Sequence, residues 1–206
     1  MANYLRMIIV LSAITLISGL ALGGLNELTY ETAQNNVLKF KKIPAVASIY
    51  ESIAGPLDKT QRLALENELL AEKRLIDLGD KQPDLFFVIK KDNKPYAVAF
   101  EKFGPGFGGD LGVMVGYVLE SGRMAGIGIT TLSETPGVGS RVTEPAFAAQ
   151  FSKLPLDAIL KVKKDGGSID AITGATISSR AVASAVNQTR EFYQQHREQI
   201  LAAVSQ

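Results

Sequence analysis

Asp170-Ala171-Ile172-Thr173-Gly174-Ala175-Thr176-Ile177-Ser178-Ser179-Arg180 carries three small residues and four hydroxyls. Such a stretch suits a glycine turn and an N-cap, and it predicts a long helix from about Ser178. On that helix Val182, Val186, Thr189, Tyr193, His196 and Ile200 recur at helical spacing. This stripe is expected to lie on a sheet, with His196 packing along the sheet edge. A helix start also presents unpaired N–H groups and partial positive charge. These favour a phosphate by roughly 0.3–1 kcal/mol, up to about 2 kcal/mol when partly buried. Thr176 therefore stands where a phosphate contact is possible, although a cap and a turn explain the same residues without a ligand.

Upstream of this helix, two hairpins are expected. Leu85–Lys90 and Tyr96–Phe103 flank Lys91-Asp92-Asn93-Lys94, and Gly112–Leu119 and Arg123–Thr131 flank Glu120-Ser121-Gly122. Both pairs combine β-branched or aromatic residues with turn chemistry, which predicts an antiparallel sheet. A short helix should follow Pro145, and a strand should lie near Ala158–Val162. Before the sheet, Asp58 is placed to cap a helix running to about Leu78, with Leu65, Leu69 and Ile76 on one face and Gly79 at its end. Residues 32–53 read as helical or irregular, interrupted by Pro44, and Gly55-Pro56 marks a break.

Two further glycine segments need a reading. Gly104-Pro105-Gly106-Phe107-Gly108-Gly109 lies between the hairpins without the parallel strand and helix of a dinucleotide loop, so it reads as a turn-rich connection. Glu134-Thr135-Pro136-Gly137-Val138-Gly139 follows a strand. Pro136 fixes φ and Gly137 permits positive φ, so a tight turn accounts for it. The same loop exposes backbone groups able to line the polar edge of a planar ligand.

Met7–Leu25 is nineteen residues without a charge. At about 1.5 Å per residue this approaches the roughly 30 Å hydrocarbon layer, and it reads as an uncleaved transmembrane helix. Signal peptides have shorter apolar regions and a small-x-small cleavage site, which LGGLNELTYE matches poorly. Arg6 on one side and Lys39, Lys41 and Lys42 on the other leave the orientation undecided by charge. The expected organisation is a membrane anchor at 1–28, a helical linker region at 29–80 and one water-exposed domain at 81–206.

Composition limits the chemistry. The 206 residues carry 22 Lys plus Arg against 21 Asp plus Glu, with no Cys and one His. A net charge of +1 gives no basis for a nucleic-acid partner. Without Cys there is no disulfide and no Cys-ligated iron–sulfur cluster, and one His excludes a multi-His metal site. No metal site is expected, and redox chemistry would rest on an organic cofactor.

Thr173-Gly174-Ala175-Thr176-Ile177-Ser178 resembles the signature Ser/Thr-Gly-Ala-Thr-x-Ser/Thr of the FMN-binding domain family, found in the G subunit of the Rnf electron-transport complex and the C subunit of the Na+-pumping NADH:quinone oxidoreductase. Glu134-Thr135-Pro136-Gly137-Val138-Gly139 resembles that family's ETPGLG loop, and Gly106-Phe107-Gly108-Gly109 resembles its aromatic-glycine stretch. Leu132 stands where many members have His. The compact length is more similar to the Rnf protein than to its quinone-reductase counterpart.

The resemblance implies an α+β architecture: one N-terminal transmembrane helix, then an antiparallel-sheet FMN-binding domain with packed helices. It implies FMN bound covalently to Thr176 through a phosphoester. Thr173, Gly174, Ala175 and Ser178, together with Glu134, Thr135, Pro136 and Gly137, would complete the cofactor site. It further implies that a flavin transferase makes the bond outside the cytoplasm, so the domain would face the extracytoplasmic side of a bacterial inner membrane. The partners would be the bilayer and the other subunits of an ion-translocating complex, and the role would be electron relay without a catalytic residue. Two other readings share these residues: the C subunit of the quinone reductase, and a membrane-anchored non-redox binding module in which Thr176 only caps a helix.

Overall fold

The computed structural model describes residues 2–71, 73–76 and 84–205. Two compact units follow one another, Met1–Lys39 and Phe40–Gln206. The first is helix α1 (Ala2–Val37), whose most apolar stretch contains no buried residue. By length and composition it can cross a membrane.

The second unit is α+β. A π turn, Leu38–Lys42, leads into α2 (Ile43–Ala54), and α3 (Lys59–Ala71) follows. Asp58 caps α3 as expected. Its Oδ1 accepts from the amides of Thr60 and Gln61, both at 2.8 Å, while Gln61 Oε1 takes the amide of Asp58 at 3.0 Å.

Five strands form an antiparallel meander in chain order: β1 (Lys73–Ile76), β2 (Asp84–Lys91), β3 (Lys94–Pro105), β4 (Asp110–Val118) and β5 (Met124–Thr131). Both expected hairpins are present. The first turns at Asp92 and Asn93, which adopt φ of 53° and 59°. The connection between them is itself a tight hairpin: β3 and β4 pair from Ala97↔Val118 to Pro105↔Asp110, closed by Gly106 N–H donating to Gly109 O at 3.0 Å.

α5 (Thr176–Val204) covers one sheet face, where Phe86, Val98, Phe100, Val113, Val115 and Tyr117 meet Val182, Val186, Tyr193 and Ile200. The Tyr117 and Tyr193 rings stack at 4.6 Å and 5°. His196 is half-buried against Phe192, with ring centroids 5.1 Å apart, and pairs with Gln199. α2 covers the opposite face, burying Ile43, Ala45, Val46 and Ile49. On that side Lys42 and the nearly buried Glu101 form an ion pair of 2.7 Å, and Thr130 donates to the same carboxylate. A four-residue helix, α4 (Pro145–Ala148), follows the sheet as expected.

Two expectations are corrected. The helix from Asp58 stops at Ala71, and Lys73–Ile76 instead pairs with β2 (Arg74↔Phe86, Leu75↔Leu85). The edge of β2 offers unpaired backbone groups that outweigh a weak helical periodicity. Arg74 then reaches the end of α5, donating to Ala203 O at 2.6 Å. Gly79, expected as the helix stop, lies outside the described residues.

The strand expected near Ala158–Val162 reduces to a single parallel bridge, Val162↔Ile169. Side chains of α5 take the backbone bonds that a neighbouring strand would supply. Asn187 exchanges two bonds with Leu160, Arg190 donates to Ala158 O, and Gln194 donates to Leu156 O.

Candidate functional site

α5 opens at Thr176, two residues earlier in its hydroxyl run than expected. Gly174 supplies the required φ of +83°, and Ala175 follows at φ −126°, ψ 45°. The first amide bond back into the helix start is Ser179 N–H to Ala175 O, 3.0 Å. The amides of Thr176, Ile177 and Ser178 therefore have no intrahelical acceptor, and among the described residues no side chain caps them.

The four hydroxyls have different fates. Ser179 is buried; its Oγ donates to Ala175 O at 2.9 Å and accepts the amide of Ile172 at 3.1 Å. Ser178 is buried and donates to Glu134 Oε2 at 2.8 Å. Thr173 is exposed. Thr176 is half-buried and makes no side-chain hydrogen bond among the described residues. Arg180, one turn further on, is already committed: its guanidinium grips Asp165 with two bonds of 2.7 Å. The hydrogen bond from Arg180 holds the Asp165 carboxyl below its usual range.

The other two glycine segments converge on this start. Glu134 is buried three residues past the end of β5, and its Oε1 accepts the amide of Phe107 at 2.7 Å. A Cβ on Gly106 would overlap the same oxygen, and a Cβ on Gly139 would lie 2.6 Å from Oε2 and 2.9 Å from Ser178 Oγ. Thr135, Pro136 and Gly137 form the exposed crest of the turn, closed by Val138 N–H and Ser140 N–H on Thr135 O at 3.2 Å each. Val138 reaches toward Gly174, 3.7 Å from where its Cβ would be. Phe107, Leu132, Val138 and Ile177 stay exposed in these segments.

The sequence reading identified each segment but not the Glu134–Ser178 and Glu134–Phe107 links that join them. It also passed over Gly139, whose signal was a glycine following the Pro-Gly turn where the turn itself needs none. Chemically, the helix start combines three unpaired amides with one unengaged hydroxyl. That donor set fits a phosphate monoester, and the hydroxyl is available to be esterified.

Residues 106–191 match the FMN-binding domain family, a stretch that contains Gly106–Gly109 and the whole of the other two segments. The G subunit of an ion-translocating oxidoreductase complex from Vibrio atlanticus is 33% identical over 147 residues, which cover 66% of this chain and 70% of that one. The corresponding G subunit of Erwinia tasmaniensis is 37% identical over 119 residues, covering 54% of this chain and 56% of the relative. That of Vibrio cholerae is 33% identical over 130 residues, covering 60% and 62%. The chain thus spans about three fifths of the length of these last two relatives. The crystal structure of the C subunit of Na+-translocating NADH-quinone reductase from Parabacteroides distasonis has the same fold. Its TM-score is 0.55 at 22% identity, covering 70% of this chain and 86% of that one. With a third of its residues identical over most of the Vibrio atlanticus protein and with the FMN-binding match across the site, the chain belongs to the family of G subunits of ion-translocating oxidoreductase complexes.

Proposed function

We propose that this protein is a membrane-anchored flavoprotein subunit that relays electrons through FMN esterified to Thr176. The complex would be of the Rnf type, coupling electron flow between ferredoxin and NAD+ to Na+ or H+ translocation. The observation that carries the attachment site is the division of labour among the hydroxyls. Ser178 and Ser179 are tied into the fold, whereas Thr176 is unengaged beside the free amides.

The flavin, when bound, supplies the reversible electron exchange. The chain supplies position: the amides of Thr176, Ile177 and Ser178 would hold the phosphate oxygens, with the Glu134–Gly139 and Gly106–Gly109 turns beside them. Thr135, Pro136 and Gly137 would offer backbone groups to the ring. A transferase that uses FAD would supply the FMN group to the Thr176 hydroxyl, with AMP as the other product.

α1 is read as the single membrane span, with the flavin-bearing domain outside the cytoplasm, where the transferase would act. The division into an anchor at 1–28, a linker region at 29–80 and a flavin domain at 81–206 belongs to this proposal. Within the linker region α2 and α3 pack against the sheet, and β1 is its edge strand.

Intact-mass measurement of the full chain purified from membranes tests attachment. The expected result is an FMN adduct that disappears, together with in-gel flavin fluorescence, in Thr176→Ala. Covalent flavin retained in that variant rejects the assignment. A reporter fused after Gln206 tests topology: activity on the extracytoplasmic side is expected, and a cytoplasmic reporter overturns the orientation.

A further inference from the structure

We infer that Glu134 is the positioning residue of this site, a buried carboxylate that clasps the β3–β4 turn to the first turn of α5 without itself contacting the cofactor. This inference deepens the reading of Thr176 as the attachment residue and rests on it for its consequence, though not for its geometry.

The two oxygens of Glu134 serve different parts of the chain. Oε1 takes the Phe107 amide, 27 residues upstream, and Oε2 takes the Ser178 hydroxyl, 44 residues downstream. Ser178 is two residues beyond Thr176 on the same helical turn, so the carboxylate fixes that turn against the two glycine loops. The glycines belong to the same device. A Cβ at 106 would overlap Oε1, and a Cβ at 139 would lie 2.6 Å from Oε2 and 2.7 Å from the Cβ of Glu134, so both backbones approach the carboxylate only because side chains are missing there. With both oxygens occupied inside the protein, Glu134 acts on a ligand through what it holds.

This arrangement separates geometry from charge. In Glu134→Gln the amide oxygen still accepts from Phe107 N–H and the NH2 group donates to Ser178 Oγ, which reverses the second bond but keeps the clasp. Glu134→Ala removes both links. Ser178→Ala removes one and leaves the Phe107 link.

The test uses the full chain in membranes or detergent, with two readouts. One is amide exchange of the peptide containing Phe107 in unloaded protein, and the other is the fraction of chain carrying covalent flavin after coexpression with the transferase. Glu134→Ala should speed exchange at Phe107 at least about tenfold, the size expected for a lost charge-assisted bond, and should lower loading by a similar factor. Ser178→Ala should lower loading while leaving the Phe107 exchange within about twofold of the parent, and Glu134→Gln should restore both within about twofold. Unchanged exchange in Glu134→Ala, or faster exchange with undiminished loading, overturns the inference. So does a Glu134→Gln variant as deficient as alanine, because charge would then be the operative property. Should the alanine variant fail to fold, Ser178→Ala and Glu134→Gln still decide: undiminished loading in the first or deficient loading in the second overturns the clasp. Thr176→Ala should lose the flavin and keep parental exchange. If it keeps the flavin, the attachment reading falls, while the exchange measurement still judges the clasp.

Discussion

α2 and α5 lie on opposite faces of one sheet and are seated in the same way, yet only α5 has an open start. Each rests on a glycine: Gly128 lies beneath α2, where a Cβ would come within 2.7 Å of Ala45 Cα, and Gly104 lies beneath α5, where a Cβ would come within 2.7 Å of the Ala181 carbonyl carbon. Their starts differ. α2 grows out of a π turn, with Lys42 already helical and Pro44 in its first turn, so it presents no set of free amides there. α5 begins after a left-handed glycine with three amides and a hydroxyl unengaged. Packing onto a sheet therefore does not make a phosphate site. What sets α5 apart is the left-handed glycine that ends the chain's approach just before its first turn.

The comparison can be broken at several strengths. The largest effect is the all-or-none loss of covalent flavin at Thr176→Ala, which no substitution at the start of α2 should reproduce. Next come Gly104→Ala and Gly128→Ala. Each forces a methyl group into helix backbone and should destabilise the protein by about 1–3 kcal/mol in urea unfolding of the full chain in detergent. Only Gly104→Ala should also reduce flavin loading, because only it displaces α5. Equal loading defects in the two variants would show that the faces are not functionally distinct.

The smallest effect concerns the packing end of α5. Tyr117 is fully buried, and its hydroxyl has no hydrogen-bond partner among the described residues. Burial pushes this phenol well above its usual range, with Arg190 pulling the other way. Because the folded-state pKa is raised, the associated stability is complete below the unfolded value of about 10 and is lost as pH rises beyond it. Tyr117→Phe keeps the stack on Tyr193 and should remove this alkaline loss. At neutral pH it should be neutral or stabilising by up to about 1 kcal/mol, since no made hydrogen bond is given up. Thermal unfolding at neutral and alkaline pH measures both, and an undiminished alkaline loss in the variant would assign it to another group.

Legibility in the sequence followed the range of the interaction. Asp92-Asn93 announced a hairpin because its turn is built from adjacent residues, and Asp58 announced a cap because its partners are two and three residues away. Lys73–Ile76 did not announce a strand, since its pairing depends on the exposed edge of β2. The segment at 158–162 looked like a strand because four of its five residues are apolar and two of them, Ile159 and Val162, are β-branched. Its backbone bonds nevertheless go to Asn187 and Arg190 on α5. In the site, the three segments and Glu134 could be identified along the chain, but the bonds by which Glu134 joins Phe107 to Ser178 could not.

By itself, then, the sequence determined the apolar run of α1, the hairpin turns of the sheet, the stripe of α5 and the run of hydroxyls at its start. Periodicity, turn chemistry and uncharged length are properties of neighbours along the chain. The tertiary structure alone decided that Ser178 and Ser179 are tied into the fold while Thr176 is left unengaged at the helix start, that Arg180 is taken by Asp165, and that Glu134 joins residues 107 and 178. Those outcomes depend on donors and acceptors brought together from distant positions, where burial obliges each polar group to find a partner and thereby determines which one remains free.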